Sequence, residues 1–134
     1  WQIKKALLLN PRLAYAYQRA QDFTDPSDAF YGDQIPYTPW HSLSAILNAD
    51  YGDWSVNYSF IYTGERYDQK ANIEKNYVMP WYTSDLSIGR KCKHRSVDYR
   101  LTIELNNAFN QYYDVVLNYP MPGRNFKFIV YVQI

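Results

Sequence analysis

Few side chains in this sequence have the types and spacing that chemistry needs. His41 follows Trp40 and could ligate a metal, but it also suits an interface position at the start of a strand. Cys92 and His94 are close enough to share a metal. A zinc site wants four protein ligands, or three and a water, and no second pair completes this one. Asp85, Asp98, Arg100 and Glu104 offer acids beside a base. General acid–base catalysis needs a matched pair around a placed substrate. Their spacing supports a ladder of charges lining a lumen or cavity instead. Tyr67, Tyr77, Trp81, Tyr112 and Tyr113 could stack on a ligand, though an aromatic belt at a membrane interface also explains them. Pro120, Pro122, Gly123 and Arg124 read as the shape of a last loop. No phosphate-cradling glycine loop and no nucleophile elbow is present. No catalytic, cofactor-binding or metal-ligating residue is assigned, no cofactor is expected, and the ligand-binding residues stay unassigned. The expectation is a non-enzyme.

Composition narrows the class. With 134 residues the chain suffices for one domain with a modest core. Aromatic residues make up 19%, fifteen of them tyrosines, which suits half-buried pleated surfaces and membrane interfaces. A net charge of +1, with no tracking run of Lys or Arg, gives no argument for nucleic acid. The single cysteine, Cys92, excludes an internal disulfide. No apolar run is long enough for a membrane helix, but a spanning strand needs only about 9–11 alternating residues and escapes that test. No signal peptide is read, and the start at Trp1 instead of Met suggests a trimmed product or a piece of a longer protein.

The elements follow from period-2 alternation. Lys5 to Phe23 reads mainly as extended, with Leu13, Tyr15 and Tyr17 on one face; a helix from Arg12 to Asp22 competes. Pro11 argues against a regular central strand there. Residues 24–39 form a loop. His41–Tyr51 and Trp54–Thr63 form a hairpin about Gly52-Asp53. A polar loop spans 64–80. Trp81–Arg90 is a fourth strand, Arg90–Ser96 a basic turn and Val97–Leu105 a fifth strand. The last strand is Lys127–Ile134, with Phe128, Val130, Val132 and Ile134 on one face.

These six strands make an all-β, antiparallel up-and-down meander. Short turns fall at one end, near 52 and 93, and long loops at the other. One face is apolar and the other is Ser, Thr, Asn, Asp, Glu and Arg. That asymmetry belongs to spanning β-barrels. In lipid every backbone group must be paired, so such strands belong to a closed barrel. The smallest membrane barrels have eight strands. Six at about 4.8 Å make an arc roughly 29 Å wide with two open edges. The expectation is therefore part of a larger transmembrane barrel.

Four motifs sharpen this: Ile35-Pro36-Tyr37-Thr38-Pro39; Tyr62-Thr63-Gly64-Glu65-Arg66-Tyr67; Leu105-Asn106-Asn107-Ala108-Phe109-Asn110 with Tyr112-Tyr113; and Tyr119-Pro120-Met121-Pro122-Gly123-Arg124-Asn125-Phe126. In this order, and at strand ends, they resemble the C-terminal barrel segment of a TonB-dependent outer-membrane receptor. The resemblance implies that all of 1–134 is barrel, with no plug domain. It implies long loops outside, short turns in the periplasm and a 22-stranded parent in the outer membrane of a Gram-negative bacterium. It also implies a role in uptake of a siderophore, corrinoid or glycan class ligand. The partners it implies are outer-membrane lipid, the rest of the barrel and an energy-coupling protein reached through N-terminal parts that lie elsewhere. Such chains usually end in an aromatic residue; this one ends in Ile134.

A different class remains open: a small soluble lipocalin-like barrel binding a ligand, with the apolar face turned inward. Which face points out separates the two. A fragment standing alone is expected to self-associate through its long exposed edges.

Overall fold

Alternation of apolar and polar residues cannot be satisfied by a helix, and the chain folds as sheet. The computed structural model describes residues 6–133. In chain order the strands are β1 (Leu7–Tyr17), β2 (His41–Tyr51), β3 (Trp54–Thr63), β4 (Arg66–Tyr67), β5 (Tyr77–Val78), β6 (Trp81–His94), β7 (Val97–Asn106), β8 (Asp114–Val116), β9 (Tyr119–Pro120) and β10 (Asn125–Gln133). Six of them form one antiparallel sheet in the order β1-β2-β3-β6-β7-β10. β4 pairs with β5 and β8 with β9, as small hairpins inside the long loops.

The extended reading of the first segment holds against the competing helix over Arg12–Asp22: Leu7–Tyr17 is strand throughout, paired from Leu7↔Tyr51 to Tyr17↔His41. Other expectations are corrected. Strand β6 does not stop at Arg90 but runs to His94, because Lys91, Cys92, Lys93 and His94 pair with Arg100, Tyr99, Asp98 and Val97. The basic turn shrinks to Arg95-Ser96, with Arg95 at φ 54°. β7 gains Asn106, and β10 starts at Asn125. Lys5 and Ile134, which bounded the outermost expected strands, and Trp1 lie outside the described residues.

Pro11 sits inside β1 without breaking the β1–β2 ladder. The amide of Gln18 donates to the Trp40 carbonyl at 2.9 Å, which fixes the phase of the ladder. In that phase Pro11↔Leu47 is a non-hydrogen-bonded pair, so the proline nitrogen points away from β2. At the other end, Gly52 adopts φ 60° as the first central residue of the two-residue β2–β3 turn. A glycine there fits a type II′ hairpin turn.

Register carries one face intact across all six strands. Pro11, Leu47, Tyr58, Leu86, Leu105 and Phe126 follow one another from strand to strand on the apolar face. Arg12, Ile46, Ser59, Asp85 and Ser87, and then Glu104 with Lys127, fall on the other. Among the described residues no apolar side chain is buried; Leu13 is 72% exposed, Phe128 67% and Ile103 56%. The sheet is thus a single layer whose apolar face encloses no core. A contiguous apolar face of this extent needs a covering, from lipid or from protein. The buried side chains are polar and lie at the long-loop end: Gln34, Arg66, Asp68, Thr83, Ser84 and Asn107.

Candidate functional site: the loop rim and the two faces

The long loops are held by their own polar side chains. Arg66, 2% exposed, donates through Nη2 to the carbonyls of Asp114 (2.9 Å) and Val115 (3.2 Å), so the second long loop is tied to the third. Burial pushes the Arg66 guanidinium below its usual pKa, with the neighbouring Tyr37 opposing the shift. Gln34 bridges the first loop to the second: its Nε2 donates to the Thr38 carbonyl at 2.6 Å, and Asn72 Nδ2 donates to its carbonyl at 3.2 Å. Tyr37 takes φ 57° so that its amide can donate to the Tyr67 carbonyl at 2.8 Å.

Gly64 allows a close approach. Its amide donates to the His41 carbonyl at 2.8 Å, and a Cβ at Gly64 would stand 2.9 Å from that same oxygen. Because backbone blocks the space, Gly64→Ala is expected to destabilise the β2–β3 rim by about 1–3 kcal/mol. A drop in thermal midpoint in detergent checks this, with no such drop for an alanine at exposed Gln69.

The third loop turns on Asn107, at φ 49° and 4% exposed. Its Nδ2 donates to the carbonyls of Gln111 (2.8 Å) and Pro122 (3.2 Å), and its Oδ1 accepts from the Gln111 amide at 2.9 Å. Its own amide donates to Asp85 Oδ1 at 2.8 Å. Nearby, Asn110 Oδ1 accepts from the Arg124 amide at 2.9 Å, and a Cβ at Gly123 would lie 2.8 Å from that oxygen. Asn106 Nδ2 donates to Asn125 Oδ1 at 3.1 Å. The sequence pairs Asn106-Asn107…Asn110 and Gly123-Arg124-Asn125 are therefore two halves of one clasp.

The residues singled out in the sequence fall as follows. Asp85, Asp98, Arg100 and Glu104 all lie on the polar face, as a ladder requires. Glu104 meets its cross-strand partner Lys127 at 3.9 Å, and Asp98 meets Lys93 at 3.7 Å. Asp85 is instead a loop anchor through Asn107. Cys92 and His94 share the apolar face of β6, opposite Tyr99 and Val97, and no group of three metal-ligating residues occurs among the described residues. His41 also faces the apolar side, its Nδ1 2.8 Å from the Tyr15 hydroxyl and its ring 5.0 Å from Tyr17.

The belt interpretation needs correction at Trp81. By register it lies opposite Thr63 on the polar face, stacked on Tyr113 at 4.5 Å. Tyr67 and Tyr77 pair edge to face within the second loop, and Tyr112 is 88% exposed. The girdles are built from other residues. Tyr15, Tyr17, Tyr62, Tyr82, Phe109 and Phe126 mark the long-loop end of the apolar face. Tyr51, Trp54 and Tyr99 mark the short-turn end, with Arg90 stacked on Trp54 at 5.0 Å. Trp54 and Tyr62 are separated along β3 by roughly 27 Å of strand, which at a tilt of about 35–45° spans about 20 Å, most of the height of a hydrocarbon band about 25 Å tall.

Tyr113 is raised above the usual phenol pKa, first by burial and then by the nearby Asp85 carboxylate. The fold thus prefers the neutral phenol. That preference is fully expressed below the ordinary value of 10.0 and is lost as pH rises through the raised value. Loss of rim stability above about pH 10 is expected to be smaller in Tyr113→Phe, followed by pH-jump denaturation.

A family model described as TonB dependent receptor-like, beta-barrel matches residues 1–108. The chain belongs to the TonB-dependent receptor family. No match is found among curated proteins. The matched range takes in β1 to β7, two of the four sequence motifs whole and the third as far as Ala108, so that it includes Asn107 but not its partners Gln111 and Pro122. The TonB-dependent receptor family is one of outer-membrane receptors and transporters of Gram-negative bacteria, embedded in lipid and coupled to an energy-transducing partner. It is not an enzyme family.

Proposed function

We propose that this chain is a C-terminal wall segment of a nutrient receptor that imports a siderophore, corrinoid or glycan class ligand across the outer membrane. The observation that carries the reading is the single-layer sheet: one face apolar over all six strands, between two aromatic girdles, with no core beneath it. Among the described residues the two edges, β1 and β10, have no partner strand in the sheet. The proposal gives those edges to further strands of a larger barrel, and places the loops held by Arg66 and Asn107 outside and the turns at Gly52 and Arg95 in the periplasm. The plug and the segment that meets the energy-coupling protein lie in other parts of the receptor. As an isolated 134-residue chain, the sheet self-associates through the same edges. A sheet that leaves its apolar face without a core also disfavours the soluble lipocalin-like alternative, which would bury that face.

Consecutive positions on β10 test the wet and lipid faces. In a Cys92→Ser background, Lys127→Cys should react with a water-soluble maleimide in outer-membrane vesicles and Phe128→Cys should not. Equal labelling of both sinks the membrane-wall reading. Cells carrying the receptor should accumulate one of a set of labelled ferric siderophores, corrinoids or glycans, and dissipating the proton-motive force should stop it. Accumulation that survives dissipation argues against energy-coupled uptake. Light scattering in detergent should show more than one copy of the isolated chain per particle.

A further inference from the structure

The short-turn end of the polar face carries a cationic recess that the family assignment does not explain. From Lys91 to His94, β6 runs past the end of β3, whose first residue Trp54 pairs with Arg90. The extended β6–β7 hairpin, flanked by β10, frames a recess of about 1010 Å³. Lys91, Lys93 and Arg100 line it from the polar face with the carboxylates of Asp53 and Asp98, and Arg90, which has apolar-face parity, also borders it. Lys91 and Arg100 are directly opposed in the register. Like charges directly opposite one another on a sheet are destabilising. Among the described residues neither makes an ion pair; Lys93 is the cation that meets Asp98, and both partners of that pair are largely exposed. An exposed pair of this kind contributes little and yields readily to a competing carboxylate.

We propose that this recess binds an extended acidic polypeptide segment, whose alternate carboxylates settle between Lys91 and Arg100 and beside Lys93. Spacing supports a peptide. Lys91 and Lys93 are two residues apart on one face, about 6.6 Å, and alternate side chains of an extended peptide repeat at that distance. Size supports it as well, since the recess matches the largest small-molecule sites and far exceeds a single inorganic anion. Three of the four lining cations, Lys91, Lys93 and Arg100, stand on the polar face, away from the lipid headgroups, and the fourth, Arg90, is engaged over the Trp54 ring. That separation rests on the polar face being the wet one, which the Lys127→Cys and Phe128→Cys labelling tests separately.

The experiment uses the 134-residue chain in neutral detergent and a fluorescent Glu-Thr-Glu-Thr-Glu peptide, with anisotropy as the readout. Saturable binding is expected, and Lys91→Gln with Arg100→Gln should weaken it at least tenfold. Lys91→Glu should act in opposite senses on two readouts. It places an acid opposite Arg100, so the thermal midpoint of the free chain should rise while peptide binding falls at least tenfold. Binding that Lys91→Glu leaves unchanged, or a midpoint that falls, overturns the proposal. So does displacement of the peptide by inorganic phosphate, or by vesicles of anionic phospholipid, at matched charge concentration. A Lys-Thr-Lys-Thr-Lys peptide that binds equally well also overturns it.

Discussion

Replacing Asn107 with alanine is expected to release the third long loop and to cost about 3 kcal/mol at that end of the sheet. The side chain is buried and makes three hydrogen bonds, to both backbone groups of Gln111 and to the Pro122 carbonyl. Alanine leaves the Gln111 amide and two carbonyls without it. Each such loss costs about 1–3 kcal/mol when no other partner is reached. The left-handed backbone at φ 49° adds strain that asparagine tolerates better than alanine does. Glycine at 107 separates the two contributions: it relieves the backbone but not the lost bonds, and should recover about 1 kcal/mol relative to alanine. Aspartate keeps the acceptor for the Gln111 amide but turns a carboxylate oxygen toward two carbonyls, with Asp85 close by, and should be no better than alanine. Limited proteolysis between 108 and 124, together with urea unfolding, reads the effect. Unchanged protection in Asn107→Ala would show that Arg66, the Asn106–Asn125 pair and the Asn110–Arg124 contact hold the loop without it.

The fold was legible wherever one face of a strand had to differ from the other. Trp54, Val56, Tyr58, Phe60 and Tyr62 announce β3, and the register places them all on the apolar face. It was less legible at Arg90–Ser96, where charge hides a strand. Lys91, Cys92, Lys93 and His94 lack apolar alternation of their own, and their conformation is set by Val97–Arg100 across the hairpin. The paired residues Arg66–Tyr67 with Tyr77–Val78, and Asp114–Val116 with Tyr119–Pro120, are too short for any local pattern. Arg66 joins those two loops across almost fifty residues of sequence. The motifs at Asn106–Asn110 and Tyr119–Phe126 identified the family without revealing their joint role. That role depends on Asn107 reaching Pro122, and on Asn110 meeting Arg124, after the strands have paired. The aromatic girdles were hidden in a similar way: Trp81 sits at the correct height but has the wrong parity, and only the register β3–β6 separates it from Tyr82.

Adjacent residues on β6 give the sharpest test of the two faces. Leu86 lies on the apolar face between Tyr58 and Leu105, and Ser87 lies on the polar face between Asn57 and Glu104. Both are midway between the girdle levels that Tyr82 and Arg90 mark on this strand, so an arginine at either meets nearly the same depth. On the lipid side at mid-depth, arginine costs about 2–4 kcal/mol in a membrane barrel. Leu86→Arg is therefore expected to destabilise the folded chain in bilayers by that amount. Ser87→Arg faces Glu104 across the register and should change stability by less than about 0.5 kcal/mol. The contrast should shrink when the same proteins are moved from thick to thin bilayers, because a shallower hydrocarbon band leaves the guanidinium a shorter path to water. A soluble barrel with the apolar face inside would also punish Leu86→Arg, so the dependence on bilayer thickness is the deciding measurement. Thickness acts on a charge only if lipid surrounds it, and a protein core buries arginine at the same cost in every bilayer.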